Sequence, residues 1–174
     1  MGKSLFISTL ILFVLTIIES SILSNLSFLI VVPDLILISS IYFSLLNGKI
    51  YGETTGFISG IFLDCITGTP LGFNSLYRTL IGYITGIFSN TVIISGIILP
   101  MLSVAIATLS KRLFIIIISL FYQNTKMFIY GFISSEFLFE FIANIILAPI
   151  IFKLLSFFKN SLQIKSTREM IDNV

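Results

Sequence analysis

Long apolar segments occupy almost the whole chain, and they restrict its fold more than any other feature of the sequence. The hydrocarbon core of a bilayer requires about 20 apolar residues per helix, with a range of about 17–25. The candidate segments are Leu5–Leu23, Phe28–Leu46, Ile50–Ile66, Phe73–Ile94, Ile97–Tyr122 and Phe137–Phe158. Because each segment must pair its own backbone polar groups in lipid, the sequence predicts an all-α integral membrane protein, a bundle of about six transmembrane helices.

The composition leaves no room for a sizeable soluble domain. Hydrophobic residues make up 56% of the 174-residue chain and charged residues only 10%, whereas soluble domains average roughly 25% charged residues. We therefore expect residues 1–158 to form one multi-pass domain and residues 159–174 to form a polar tail. The apolar run after Lys3 extends to Leu23 with no small-residue cleavage site after it, so we interpret it as a retained first helix.

The placement of Lys and Arg in short loops predicts the orientation of the bundle. With six spans and a cytoplasmic N-terminus, the C-terminus is cytoplasmic as well. The inner segments then contain Lys3, Lys49, Lys153, Lys159, Lys165 and Arg168, whereas the outer loops contain Lys126. The pair Lys111-Arg112 lies inside the fifth segment, and a helix that ended there would change the count.

Two stripes of glycine mark close contacts between helices. Gly52, Gly56 and Gly60 follow one another at four-residue intervals, with Asp64 next on the same stripe, and Gly82 and Gly86 repeat the spacing on the fourth segment. Small residues at this spacing allow two helix backbones to approach closely in lipid. The stripe is typical either of packing within the bundle or of a docking face for a partner's helix.

Ionisable residues at membrane depth form the second signal. Each costs roughly 2.5–3.5 kcal/mol at a helix centre and should therefore face protein or water. By the boundaries above they are Glu19, Asp64, Arg78, Lys111, Arg112 and Glu140. Asp64 and Arg78 flank the turn that contains Gly68, Pro70 and Gly72, and we expect these two side chains to form an ion pair. A proton or ion relay is the alternative.

Two further polar positions have structural interpretations. Pro33-Asp34 is expected to open the second span, because proline suits a first helical turn and an acid there meets the positive end of the helix dipole. Asn144 lies five residues before Pro149 in the sixth segment and is expected to form a hydrogen bond with another helix.

Enzymatic chemistry finds little support in this sequence. Histidine is absent and Cys65 is the only cysteine, which excludes an internal disulfide and removes the commonest general base and metal ligand. Asp34 and Asp64 could perform aspartic chemistry only if the two carboxylates shared one site. We therefore predict a protein that is not an enzyme and has no cofactor, metal or nucleic-acid partner.

Several of these motifs together resemble the rod shape-determining protein MreD family. The resemblance rests on Pro33-Asp34-Leu35-Ile36-Leu37, on Asn47-Gly48 followed by Tyr51-Gly52, and on the run from Gly56 to Asp64 that continues into the G-x-P-L-G turn at Gly68–Gly72. It is most specific over residues 33–86. The chain length, the basic tail and the spacing from Asn144 to Pro149 are also similar.

The resemblance implies a scaffold in the bacterial cytoplasmic (inner) membrane. Such proteins associate with MreC, a single-span protein, and the complex is linked to the MreB filament and to the glycosyltransferase–transpeptidase pair that builds peptidoglycan. The family's fold resembles the substrate-binding subunits of energy-coupling-factor vitamin transporters. That likeness provides the alternative function, a small-molecule binding or transport subunit with a cavity lined by Asn74, Tyr77, Arg78 and Tyr83.

Overall fold

The computed structural model describes residues 2–22, 31–90, 96–121 and 134–164, and the regular structure within these ranges is helical. The elements are α1 (Gly2–Ile17) with a π-helical turn at Ile18–Ile22, α2 (Leu35–Asn47), α3 (Lys49–Thr67), α4 (Phe73–Ile87) with a 3₁₀ turn at Phe88–Asn90, α5 (Ile98–Phe121), α6 (Ser135–Ser156) and α7 (Lys159–Leu162). We call the end of the bundle where α1 begins the near end, and the opposite end the far end.

Three of the described helices are long and apolar enough to cross a membrane. They contain the stretches Gly2–Ser21, Ile98–Ile117 and Ser135–Ser156. The helix α2 is apolar but has only 13 residues, which corresponds to about 20 Å at 1.5 Å per residue. The count of about six spans therefore remains a prediction for the other helices.

Some predicted boundaries differ from those in the structure. The α-helical conformation of α4 ends at Ile87, before the predicted limit at Ile94. Pro33 and Asp34 precede α2 and do not form its first turn. The helix α5 continues without interruption through Lys111-Arg112. The predictions for Lys126, Lys165 and Arg168 and for the start of the second span at Phe28 lie outside the described residues.

The short helix α2 lies at the centre of the bundle. All its residues from Leu35 to Leu45 are buried, and it packs against α1, α3, α4, α5 and α6. A helix that is apolar all round is stable only when it is surrounded in this way. The carboxylate of Asp34 caps the helix by accepting the backbone N–H of Leu37 at 2.8 Å, a usual role for aspartate at this position.

The glycine stripes join α3 to α4 with their backbones in close contact. The glycines at this interface are Gly52, Gly56, Gly60, Gly82 and Gly86, and all are buried. A Cβ atom on Gly56 would overlap the carbonyl of Arg78, and one on Gly60 would overlap the backbone of Ser75. The stripe on α3 is therefore covered by α4. The hypothesis that a partner's helix docks on Gly52, Gly56 and Gly60 is therefore wrong, because α4 already occupies that face.

The turn between α3 and α4 is organised by Asp64. Gly68 and Gly72 adopt positive φ angles of 67° and 97°, a conformation that glycine reaches without a steric penalty. The Asp64 carboxylate accepts the backbone N–H groups of Gly72 and Asn74, each at 2.9 Å, and the side chains of Asn74 and Ser75 at 2.8 and 3.0 Å. It thus satisfies amide groups that the start of α4 would otherwise leave unpaired.

Polar contacts at the near end attach the last described residues to the bundle. The Tyr51 hydroxyl lies 2.8 Å from the Ser4 hydroxyl and 2.7 Å from that of Ser8. The Asn47 amide donates to the Leu162 carbonyl at 3.0 Å and accepts the Ile164 N–H at 2.8 Å. The start of the predicted polar tail is therefore attached to the bundle through Leu162, which is fully buried, and Ile164.

Replacing Gly56 with alanine should destabilise the protein, since the added methyl group meets the backbone of α4 and not a flexible side chain. Overpacking of this kind costs about 1–3 kcal/mol, measurable as a lower midpoint in the unfolding of the detergent-solubilised protein. Gly2→Ala is the matched control, because a Cβ atom there meets nothing within 4 Å. Equal stability of the two variants would contradict the close α3–α4 contact.

Candidate functional site

A cluster of charged side chains lies inside the far half of this apolar bundle. Its members come from four different helices or their caps: Asp34 before α2, Arg78 on α4, Lys111 on α5 and Glu140 on α6. Arg78 and Asp34 are almost completely buried, with side-chain exposures of 1% and 3%. Charges at such depth are tolerated when they are paired and hydrogen-bonded.

Asp34 is the centre of the cluster. Its two oxygens lie 2.9 and 2.8 Å from Nη2 of Arg78, and Oδ2 also lies 2.7 Å from Nζ of Lys111. Together with the cap to Leu37, the carboxylate therefore has contacts to α2, α4 and α5. The backbone N–H of Asp34 donates to Oδ1 of Asn144 at 2.8 Å, which adds α6.

Lys111 joins the two acids of the cluster. Its ammonium group lies 2.7 Å from Asp34 Oδ2 and 2.6 Å from Glu140 Oε1. The exposures of the Lys111 and Glu140 side chains are both 16%, so this pair lies closer to the surface than the pair of Asp34 and Arg78. With two acids and two bases, the four side chains balance one another's charge.

Asn144 extends the cluster through α6 toward the middle of the bundle. It is fully buried, and its Nδ2 donates to the Thr108 hydroxyl at 3.3 Å. The Thr108 hydroxyl in turn donates to the Val104 carbonyl at 2.9 Å within α5. The hydrogen bond across helices that we expected of Asn144 is thus present, with both Asp34 and Thr108 as partners.

Glu19 reaches the same region from α1. It lies in the π-helical turn at Ile18–Ile22, and its Oε2 accepts the backbone N–H of Ile36 at 3.3 Å. The amide of Ile36 belongs to the first turn of α2, where backbone donors have no partner within the helix. The start of α2 is therefore held by acidic side chains from two sides.

Arg78 keeps part of its hydrogen-bonding capacity unused. Among the described residues, its Nε and Nη1 atoms have no hydrogen-bond acceptor. The guanidinium carbon lies 5.6 Å from the centroid of the Tyr77 ring, within the range of a cation–π contact. The Tyr77 hydroxyl donates to Oδ1 of Asn74 at 2.8 Å, which links this region to the Asp64 cap.

The expected ion pair between Asp64 and Arg78 is wrong. Arg78 pairs with Asp34, and Asp64 instead accepts hydrogen bonds from the start of α4. The reason is geometric: Asp64 lies before the first turn of α4 and is used by its amides, whereas Arg78 lies one turn deeper and faces α2. Asp34 and Asp64 therefore do not share a site, as aspartic chemistry would require.

The geometry favours a structural role for the cluster. Each carboxylate of the central pairs faces a cation, so neither is free to act as a nucleophile or base. Among the residues that the structure describes, no group of three or more Cys, Asp or Glu side chains could hold a metal ion. What the cluster does achieve is to hold four helices at one level, because moving any of them would separate buried opposite charges.

Three of the four residues proposed to line a ligand cavity make contacts inside the bundle among the described residues. Asn74, Tyr77 and Arg78 are buried, and their contacts are with Asp64, Asn74 and Asp34, respectively. Tyr83 lies at the near end, in a cleft of about 470 Å³ beside Lys49 and Ser89. A separate cleft of about 230 Å³ at the far end is lined by Arg112, Phe137 and Glu140 among others.

The depth of the charged residues along their helices is a sequence signal for this cluster. Arg78 and Glu140 each lie five positions after the first residue of their helices, Phe73 and Ser135, and Asp34 lies directly before α2. Depth alone does not identify the partner of Arg78, because Asp64 lies three residues before the end of α3 and thus at a depth similar to that of Arg78. The prediction from proximity in the chain favoured Asp64 and missed the cluster.

One protein family matches this chain over most of its length. The family model described as rod shape-determining protein MreD matches residues 2–158. A search of curated proteins and a search of solved structures each gave no match. The likeness to the substrate-binding subunits of vitamin transporters therefore remains a prediction.

Replacing Lys111 with methionine should destabilise the bundle strongly, because Asp34 and Glu140 both lose a partner inside it. Removing one member of a buried pair costs about 3–5 kcal/mol, measurable by unfolding in detergent. The matched control is Lys153→Met, which changes an exposed lysine on α6 and should alter stability by less than about 0.5 kcal/mol. A loss no larger than that of the control would show that the cluster does not hold the helices together.

Proposed function

We propose that this chain, which belongs to the family of rod shape-determining protein MreD, is a non-enzymatic membrane scaffold of the bacterial elongation machinery. The observation that carries the proposal is the match of the family model to residues 2–158. In this role the protein binds MreC and helps to couple cytoplasmic MreB filaments to the glycosyltransferase and transpeptidase that synthesise peptidoglycan. Its contribution is to position its partners, and no bond is made or broken.

The buried cluster supports a role in positioning. Asp34, Arg78, Lys111 and Glu140 satisfy one another inside the chain, which leaves their charges committed to the fold. The bundle that they stabilise presents large apolar side chains outward, for example Leu102, Ile106 and Leu113 on α5. A bundle whose helices keep a constant arrangement is suited to hold a partner's helix at a defined place.

The distribution of exposed lysines supports the proposed orientation. Lys3, Lys49, Lys153 and Lys159 are exposed and belong to elements that begin or end at the near end. Basic residues accumulate on the cytoplasmic side of membrane proteins, so we assign the near end and both termini to the cytoplasm of the bacterial inner membrane. The charge cluster then lies in the half of the bundle that faces away from the cytoplasm.

Co-expression of this chain with its cognate MreC in a rod-shaped bacterium tests the proposal. We expect MreC to co-purify with the chain, and we expect depletion of the chain to convert rods to spheres. Lys111→Met should reduce both the recovered complex and the rescue of cell shape, because the bundle that positions the partner is weakened. Lys153→Met should behave as the wild type.

Two results would contradict the proposal. One is a depleted strain that keeps its rod shape. The other is a stable, correctly inserted chain from which MreC is never recovered.

A further inference from the structure

The side of α3 opposite its glycine stripe is open. Gly52, Gly56 and Gly60 are buried against α4, whereas Ile50 and Phe57 are 62% and 50% exposed. Glu53 lies between these two residues along the same face and is also exposed. We call the surface formed by Ile50, Glu53 and Phe57 the outer face of α3.

Glu53 is an unusual residue for a surface in contact with lipid. It lies four residues after Lys49, the first residue of α3, and therefore about 6 Å along the helix from its start. Lys49 is exposed one turn before it on α3, but no salt bridge joins Glu53 to Lys49 or to any other residue that the structure describes. A carboxylate side chain near the hydrocarbon core is expensive unless it meets a cation or water.

Glu53 is the feature that distinguishes this face from other exposed helix surfaces. With 19 residues, α3 is long enough to cross the bilayer core. The other two residues of its outer face, Ile50 and Phe57, are apolar, like the exposed Leu138, Ile142 and Ile146 of α6. The carboxylate of Glu53 is therefore what makes the outer face of α3 better suited to a protein with a cation than to lipid.

We propose that the outer face of α3 docks the transmembrane helix of a single-span partner that carries a lysine or arginine at the near-end level of its span, opposite Glu53. The inference rests on the proposed function, which supplies such a partner, and it replaces the glycine stripe as the docking surface. Basic residues flank the cytoplasmic ends of membrane spans, so the partner's cation and Glu53 lie at the same depth.

A second copy of this chain is a poorer occupant for the surface. A two-fold contact places the same patch of both copies together, and here it would bring the two Glu53 carboxylates close to each other. Like charges in a desolvated contact disfavour association. The charge on the outer face therefore selects a different chain with a basic residue.

Site-specific photo-cross-linking in the co-expressed complex tests the docking surface. A photoreactive residue replaces Phe57 on α3 or, as the matched control, Ile142 on α6, which is similarly exposed at 55%. We expect the partner's span to be captured from position 57 and not from position 142. Capture of a second copy of this chain from position 57 would overturn the inference.

Charge reversal tests the role of Glu53 separately. Glu53→Lys should lower the cross-linking yield from position 57 by about tenfold or more, which corresponds to 1.4 kcal/mol or more, and Glu53→Gln should lower it less. Changing the partner's basic residue to glutamate should restore the yield with Glu53→Lys. Because Glu53 is exposed, we expect these variants to fold, and the unfolding midpoint checks this.

The outcomes separate the inference from the proposed function. If MreC co-purifies but is captured only from position 142, or if Glu53→Lys leaves capture from position 57 unchanged, the outer face of α3 is not the docking surface and the scaffold function stands. If MreC does not co-purify with the wild-type chain, the proposed function fails and the inference fails with it.

Discussion

The bundle depends on the contacts that the Asp34 carboxylate makes with Arg78, with Lys111 and with the start of α2. A charge at this depth would be expelled into water or neutralised if it stood alone. Here it caps α2 and lies within 2.9 Å of a nitrogen atom of Arg78 and of Lys111. Because each of these partners belongs to a different helix, a single side chain sets the relative positions of α2, α4 and α5.

The close contact of α3 and α4 also stabilises the bundle, but through van der Waals packing and not through paired charges. No hydrophobic effect drives helices together inside lipid, so the two helices associate through van der Waals contacts that require their backbones to be close. Glycine supplies that closeness, and Asp64 connects the end of α3 to the start of α4. The hairpin thereby places Arg78, which faces α2, at the level of Asp34.

The charge cluster and the glycine stripes are both used for contacts inside the bundle. The charges of Asp34, Arg78, Lys111 and Glu140 and the glycine stripes are used within the chain. Under the proposed function, a partner would therefore recognise the outer surface, where many large apolar side chains are exposed. In the proposed docking, the exposed acid Glu53 would add specificity that apolar contacts alone do not provide, since charge complementarity discriminates between partners.

The sequence by itself determined that the chain is a helical membrane protein and indicated the family to which it belongs. Apolar segment length and the G-x-P-L-G turn at Gly68–Gly72 are local properties, and lipid leaves the backbone few alternatives. Only the tertiary structure decided that Arg78 pairs with Asp34 and not with Asp64, and that α4 covers the glycine stripe. The position of a residue along its helix indicates its depth in the bundle. Which of several residues at similar depth become partners depends on which helices are neighbours, and that is a property of the tertiary structure. Asp34 lies 44 residues from Arg78 and 77 from Lys111 in the chain, and only the packing of the whole bundle brings them together.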